Sequence, residues 1–235
     1  MADYQPRVQA AQAGAQDIDA GLRSYMLSVY NYMAGALVLT GVVAYFSAAS
    51  GLYASIAQSP LIWVVMLAPL GMVIFLSARL NKLSLAGAQT SFWVFAALMG
   101  LSLSSVFLVY TQQSITQVFF VTAAAFGSLS LYGYTTKRSL SGMGSFLFMG
   151  VIGIIIAMIV NIFLQSSALE FAISVIGVLV FAGLTAYDTQ KIKEMYFAGD
   201  GVATMGKKAI MGALKLYLDF INMFLFLLRL FGSRD

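Results

Sequence analysis

The sequence predicts an all-α integral membrane protein with seven transmembrane helices, and three observations carry that prediction. Of its 235 residues, 60% are hydrophobic and 9% are charged, against about 25% charged in an average soluble domain. The charges fall in clusters, so residues 24–78, 83–136 and 139–169 contain no Asp, Glu, Lys or Arg. A crossing needs about 20 apolar residues rising 1.5 Å each, so each of the first two gaps is too long for one helix and fits two. The apolar runs are also continuous, unlike the alternating strands of an outer-membrane barrel.

Residues 1–25 form a polar N-terminal tail carrying Asp3, Arg7, Asp17, Asp19 and Arg23. It lacks the short apolar run of a secretory signal. The transmembrane domain follows over 26–235. Its first helix is expected at 26–49. Ser59-Pro60 marks the entry to the second at 61–79, and Asn81-Lys82 its end. The third, at 88–110, closes on Thr111-Gln112-Gln113, and the fourth, at 116–136, on Lys137-Arg138. After Ser141-Gly142 come the fifth at 143–164, the sixth at 169–191 and the seventh at 209–230.

Counting Lys and Arg orients the bundle. Seven crossings place Arg7, Arg23, Arg79, Lys82, Lys137, Arg138, Lys191, Lys193, Lys207, Lys208 and Lys215 on the N-terminal side, with Arg229 and Arg234 opposite. The positive-inside rule therefore puts the N-terminus in the cytoplasm and the C-terminus in the periplasm. The same rule accounts for the net charge of +4, so no nucleic-acid partner is expected.

With no Cys and no His, thiolate metal sites, disulfides and imidazole catalysis are excluded. Any proton or cation chemistry falls to carboxylates. Asp188 and Asp219 interrupt the apolar runs of the last two helices, and a charge at membrane depth is costly enough to require a partner. Asp219 lies eleven residues beyond Lys208, roughly 16 Å along a helix. Asp188 reaches similar depth if the sixth helix continues past Lys191 and Lys193, whose ammonium groups snorkel outward. The plain reading of Asp219 is an internal pair with Lys215 one turn away, supported by Asn222. The plain reading of Asp188 is a headgroup-level carboxylate near Lys191. The joint reading is a carboxylate pair that shares a proton or binds a cation, with Arg79 as its counter-ion. Gly35, Gly41, Gly150, Gly153, Gly177 and Gly183 are candidates for close helix packing. Tyr110–Ile115 and Tyr187–Ile192 match at three of six positions, as an inverted repeat would.

The motifs Gly21-Leu22-Arg23-Ser24-Tyr25-Met26, Val29-Tyr30-Asn31-Tyr32-Met33, Tyr132-Gly133-Tyr134-Thr135, Phe181-Ala182-Gly183-Leu184-Thr185-Ala186-Tyr187-Asp188-Thr189-Gln190 and Leu216-Tyr217-Leu218-Asp219-Phe220-Ile221-Asn222 resemble the Bax inhibitor-1 family, in particular its bacterial branch. The resemblance implies a last helix set among the other six and a pH-sensitive calcium leak of the bacterial inner membrane, gated by aspartates at Asp188 and Asp219. Arg79 takes the position of the family's partner arginine. Calcium is then the transported ion, held weakly at Asp188 and Asp219; of the supporting residues beside them, Asn222 offers a further oxygen ligand and Lys215 a neighbouring positive charge. Protons and the lipid bilayer are the other partners, and no resident cofactor is expected. Asp suits calcium because hard cations take oxygen ligands, six to eight of them, so two side chains make a weak site that an ion can leave.

A second reading is a membrane-embedded regulator that binds and inhibits a membrane protease, a role in which some bacterial members are implicated; it would use the tail 1–25. An enzyme is not expected. Tyr187-Asp188 resembles an element of intramembrane aspartyl proteases, but Leu216-Tyr217-Leu218 precedes Asp219 where that group has Gly-x-Gly.

Overall fold

The computed structural model describes residues 4–234, with side chains from Asp19 onward. Positions 1–3 of the N-terminal tail and Asp235 lie outside the described residues. The described chain forms nine α-helices: α1 (Tyr4–Ala49), α2 (Leu52–Ala57), α3 (Leu61–Arg79), α4 (Leu85–Leu103), α5 (Val106–Val109), α6 (Gln112–Thr135), α7 (Ser141–Leu164), α8 (Ser167–Glu194) and α9 (Val202–Phe231). Seven spans are long and apolar enough to cross a membrane: α1 from Asp19, α3, α4 together with α5, α6, α7, α8 and α9. The predicted count therefore stands.

The boundaries moved where hydropathy marks entry into lipid rather than the start of a helix. Helix α1 is continuous from Tyr4, with no break at residue 25. Helix α9 begins at Val202, ahead of the expected 209. Its added turns carry Lys207 and Lys208, which anchor the end of the bundle. Lys208 Nζ donates to Met195 O at 2.8 Å and pairs with Asp200 at 2.5 Å, while Lys207 Nζ donates to Asn81 O at 3.4 Å. The third span breaks at Ser104-Ser105 into α4 and α5, a cut that its uninterrupted apolar character conceals.

Burial separates the spans sharply. Of its apolar window, α9 buries 72%, whereas no other span exceeds 33%. It packs against α1, α3, α4, α6 and α8. Leu216, Tyr217 and Ala213 are wholly sealed within it. Helices α3 and α7 bury only 11%, and expose side chains such as Trp63 and Phe163. In a bilayer such faces meet lipid tails, so their exposure carries none of the cost it would have in water.

Small residues set how closely the helices approach. A Cβ on Gly177, Gly150, Gly183 or Gly35 would stand 2.6, 2.9, 2.7 or 2.9 Å from Phe226, Val180, Leu147 or Trp93 respectively, so these four do serve packing. Gly41 and Gly153 face open space. At Gly133 the α6 backbone passes so near α8 that a Cβ would collide with the Ala186 carbonyl oxygen.

The two ends of the bundle are well defined. At one end the rings of Tyr25 and Tyr196 lie 5.8 Å apart, tying the start of the first span to the α8–α9 connection. At the other, Thr111 N donates to Ser233 O at 3.1 Å and Ser233 N to Ser114 Oγ at 2.8 Å. The matched hexapeptides do not share a conformation: Tyr110 is extended and bridges to Arg234, whereas Tyr187–Ile192 lies inside α8. The inverted-repeat expectation finds no support there, because three matched side chains do not fix a backbone whose surroundings differ.

Candidate functional site: a carboxylate pair between the last two spans

The continuation of α8 to Glu194 places Asp188 inside the bundle. Lys191 is drawn outward to Glu194 at 2.8 Å, and Lys193 Nζ donates to Tyr134 O at 2.8 Å. Four successive residues then address four different neighbours, since each step along a helix turns about 100°. Tyr187 lies on Gly144 of α7, where a Cβ would meet its ring at 2.6 Å. Asp188 faces α9. Thr189 bonds α6 through Ser130 at 2.9 Å. Gln190 holds the α6–α7 connection, its Oε1 accepting from Leu140 N at 2.8 Å and its Nε2 donating to Arg138 O at 2.9 Å.

Opposite Asp188, α9 presents Asp219, which is only 4% exposed. The two carboxyl groups are neighbours across the α8–α9 interface, on either side of Lys215. Asp219 Oδ2 has no hydrogen-bond partner among the described residues, and a buried polar atom in that condition is rare and costly. Lys215 Nζ stands 3.8 Å from Asp188 Oδ1. The lysine thus reaches across to α8 and leaves Asp219 on its own helix without an ion pair, the reverse of the plain reading of Asp219. Its side chain is 45% exposed and that of Asp188 is 14% exposed, so Asp219 is the more enclosed of the two carboxylates.

The structure does not bring all the candidate residues together. Asn222 is half-buried, and its Nδ2 donates to Leu218 O on the preceding turn at 2.8 Å. Arg79 is exposed at the end of α3 and forms no ion pair among the described residues. The cation beside the aspartates is therefore Lys215. No cluster of three or more His, Cys, Asp or Glu occurs among the described residues, so the pair supplies two side-chain ligands and no closed cage.

Two hydroxyl chains brace the site, and neither was singled out from the sequence. Thr40 Oγ1 donates to Ala96 O at 2.8 Å, so Tyr217 must donate to Thr40 at 2.7 Å, joining α9, α1 and α4 two residues before Asp219. Thr189 Oγ1 donates to Thr185 O at 2.7 Å, so Ser130 donates to Thr189, and Tyr30 to Ser130 at 2.5 Å. Isolated hydroxyls in apolar runs were the available signal. Most such hydroxyls bond only their own helix, as Thr122 does with Val118 O, so the sequence does not show which ones cross.

A seven-span helical membrane protein with carboxylates paired across its last two spans is the class this fold and site define. The family model described as "Inhibitor of apoptosis-promoting Bax1" matches residues 22–235, and the chain belongs to the Bax inhibitor-1 family. It is 50% identical over 222 residues to the inner membrane protein YbhL of Escherichia coli (strain K12), covering 92% of this chain and 94% of that one. It is 48% identical over 235 residues to protein RP147 of Rickettsia prowazekii, covering 100% and 99%, and 47% identical over 236 residues to a protein of Caulobacter vibrioides, covering 95% and 94%.

Proposed function

We propose that this protein is a proton-sensitive calcium leak of the bacterial inner membrane. The observation that carries the proposal is the juxtaposition of Asp188 and Asp219 between α8 and α9 around Lys215, with one Asp219 oxygen left without a partner among the described residues. Paired carboxylates supply hard oxygen ligands, and backbone carbonyls and water must complete the shell. The same oxygens hold a proton when they hold no cation, so the two compete. Calcium uptake into liposomes of the purified chain, measured across a pH series, tests this directly. Flux equal to that of empty liposomes at every pH would refute it.

Lys215 is the resident competitor for calcium. A long, partly exposed ion pair is worth about 0.2–1 kcal/mol, so Lys215→Gln is expected to tighten calcium binding by a factor of about 1.4 to 5, read by displacement of a luminescent lanthanide. Arg79→Ala removes an exposed base that forms no ion pair among the described residues and is expected to leave calcium binding unchanged. A rise in resting flux in Arg79→Ala but not in Lys215→Gln would move the counter-ion role to α3.

The cytoplasmic N-terminus belongs to the same proposal. It rests on the eleven bases of that side against two on the other. A reporter active only in the cytoplasm is expected to be silent when fused after Asp235 and active when fused within the 136–141 connection. Activity at Asp235 would reverse or remove a crossing.

A further inference from the structure

Helices α1 and α6 both pack on α8 and α9 but part from each other near the basic end of the bundle, leaving a cleft of about 500 Å³. That volume falls within the roughly 300–1,000 Å³ typical of small-molecule sites. Met26, Leu27, Phe126 and Leu131 make its walls apolar, and Gly127 leaves a notch where an added Cβ would meet nothing within 4 Å. Arg23 and Tyr134 stand at its mouth. From Tyr134 to Phe126 is eight residues, so the cleft runs about 12 Å along the helix, from the interface towards the Tyr30 hydroxyl, which is already satisfied by Ser130.

The shape and the charge point to one occupant. The cleft opens sideways, where the surrounding medium is lipid, so what fills it is an acyl chain. Arg23 is exposed and forms no ion pair with the described residues. It sits where a phosphate would lie above a chain inserted beside Gly127, and a basic group between helices at headgroup level suits an anionic lipid. We propose that this cleft binds one anionic phospholipid, with an acyl chain along Gly127 and the phosphate at Arg23. The proposal does not depend on ion conduction.

Native mass spectrometry of the intact chain in mild detergent, titrated separately with phosphatidylglycerol and phosphatidylcholine, tests it. The unaltered protein is expected to retain one phosphatidylglycerol in preference to phosphatidylcholine by about fivefold, the effect of one base near an anionic surface. Gly127→Leu starts from a Cβ that meets nothing within 4 Å and fills the notch, and it is expected to weaken retention about tenfold, since the excluded chain loses its van der Waals packing against the cleft wall. Arg23→Gln is expected to remove the preference for phosphatidylglycerol while the chain still enters. Leu27→Trp blocks the same cleft from α1 and replaces Gly127→Leu should that variant not fold. Retention of phosphatidylglycerol by the folded blocking variant at the level of the unaltered protein would overturn the site. Equal retention of the two lipids by the unaltered protein would overturn the anionic occupant.

Discussion

Replacing either Asp188 or Asp219 with Asn is expected to flatten the pH dependence of calcium flux, and replacing both is expected to add little to the more severe single change. The substitution keeps the shape of the side chain and removes its proton equilibrium. Because the two carboxyl groups are neighbours between α8 and α9, their protons are expected to be properties of the pair rather than of either residue. Under the proposed function calcium competes with a proton at the pair, so binding is expected to release a proton and affinity to fall as pH falls. With one carboxylate gone, the remaining oxygens hold a divalent ion less well, by about tenfold or roughly 1.4 kcal/mol. Removing the second finds the unit already broken, which is the non-additivity expected of residues in contact. Flux and lanthanide displacement measured over the same pH series on the three variants check this. Unchanged pH profiles in both single variants, or simple addition in the double, would refute the paired site.

The largest effect on stability is expected at Gly133. A Gly133→Val side chain cannot coexist with the Ala186 carbonyl oxygen at its present position, so α6 and α8 must separate. Ser130 and Thr189, each three residues from that approach on its own helix, bond each other across the same α6–α8 interface at 2.9 Å. Separation therefore also strands a buried hydroxyl. Overpacking costs about 1–3 kcal/mol and an unsatisfied buried donor about 1–3 more. Together these reach much of the usual stability of a folded domain, about 5–15 kcal/mol. Gly133→Val is expected to abolish the monodisperse peak in size-exclusion chromatography. Gly153→Ala, whose Cβ meets nothing within 4 Å, is expected to melt like the unaltered protein. A Gly133→Val variant that melts with it would mean that the α6–α8 approach is not a structural constraint.

The two glycines show where reading the sequence stops. Gly133 and Gly153 are alike as letters in apolar helices, and only the position of the neighbouring backbone separates a forbidden Cβ from a harmless one. Gly41 and Gly153 fitted the small-residue pattern as well as Gly177 and Gly183 did, yet they face nothing.

The sequence by itself determined the class of fold. Seven apolar runs separated by charge must become seven helices, because a bilayer offers backbone groups no other partner. It also determined that Asp188 and Asp219 would need company, because lone carboxylates at depth are too costly to leave unpaired. Only the tertiary structure decided who that company is. Lys215 is one turn from Asp219 on the same helix, which made it the natural local partner; instead it reaches Asp188 across the interface with α8. Likewise Tyr217 and Thr40, 177 residues apart, could be joined only by folding. Local rules fix what a residue needs, but the supplier of a buried contact depends on which helix faces pack together, and in this chain α9, with five neighbours and lipid on little of its surface, makes that choice.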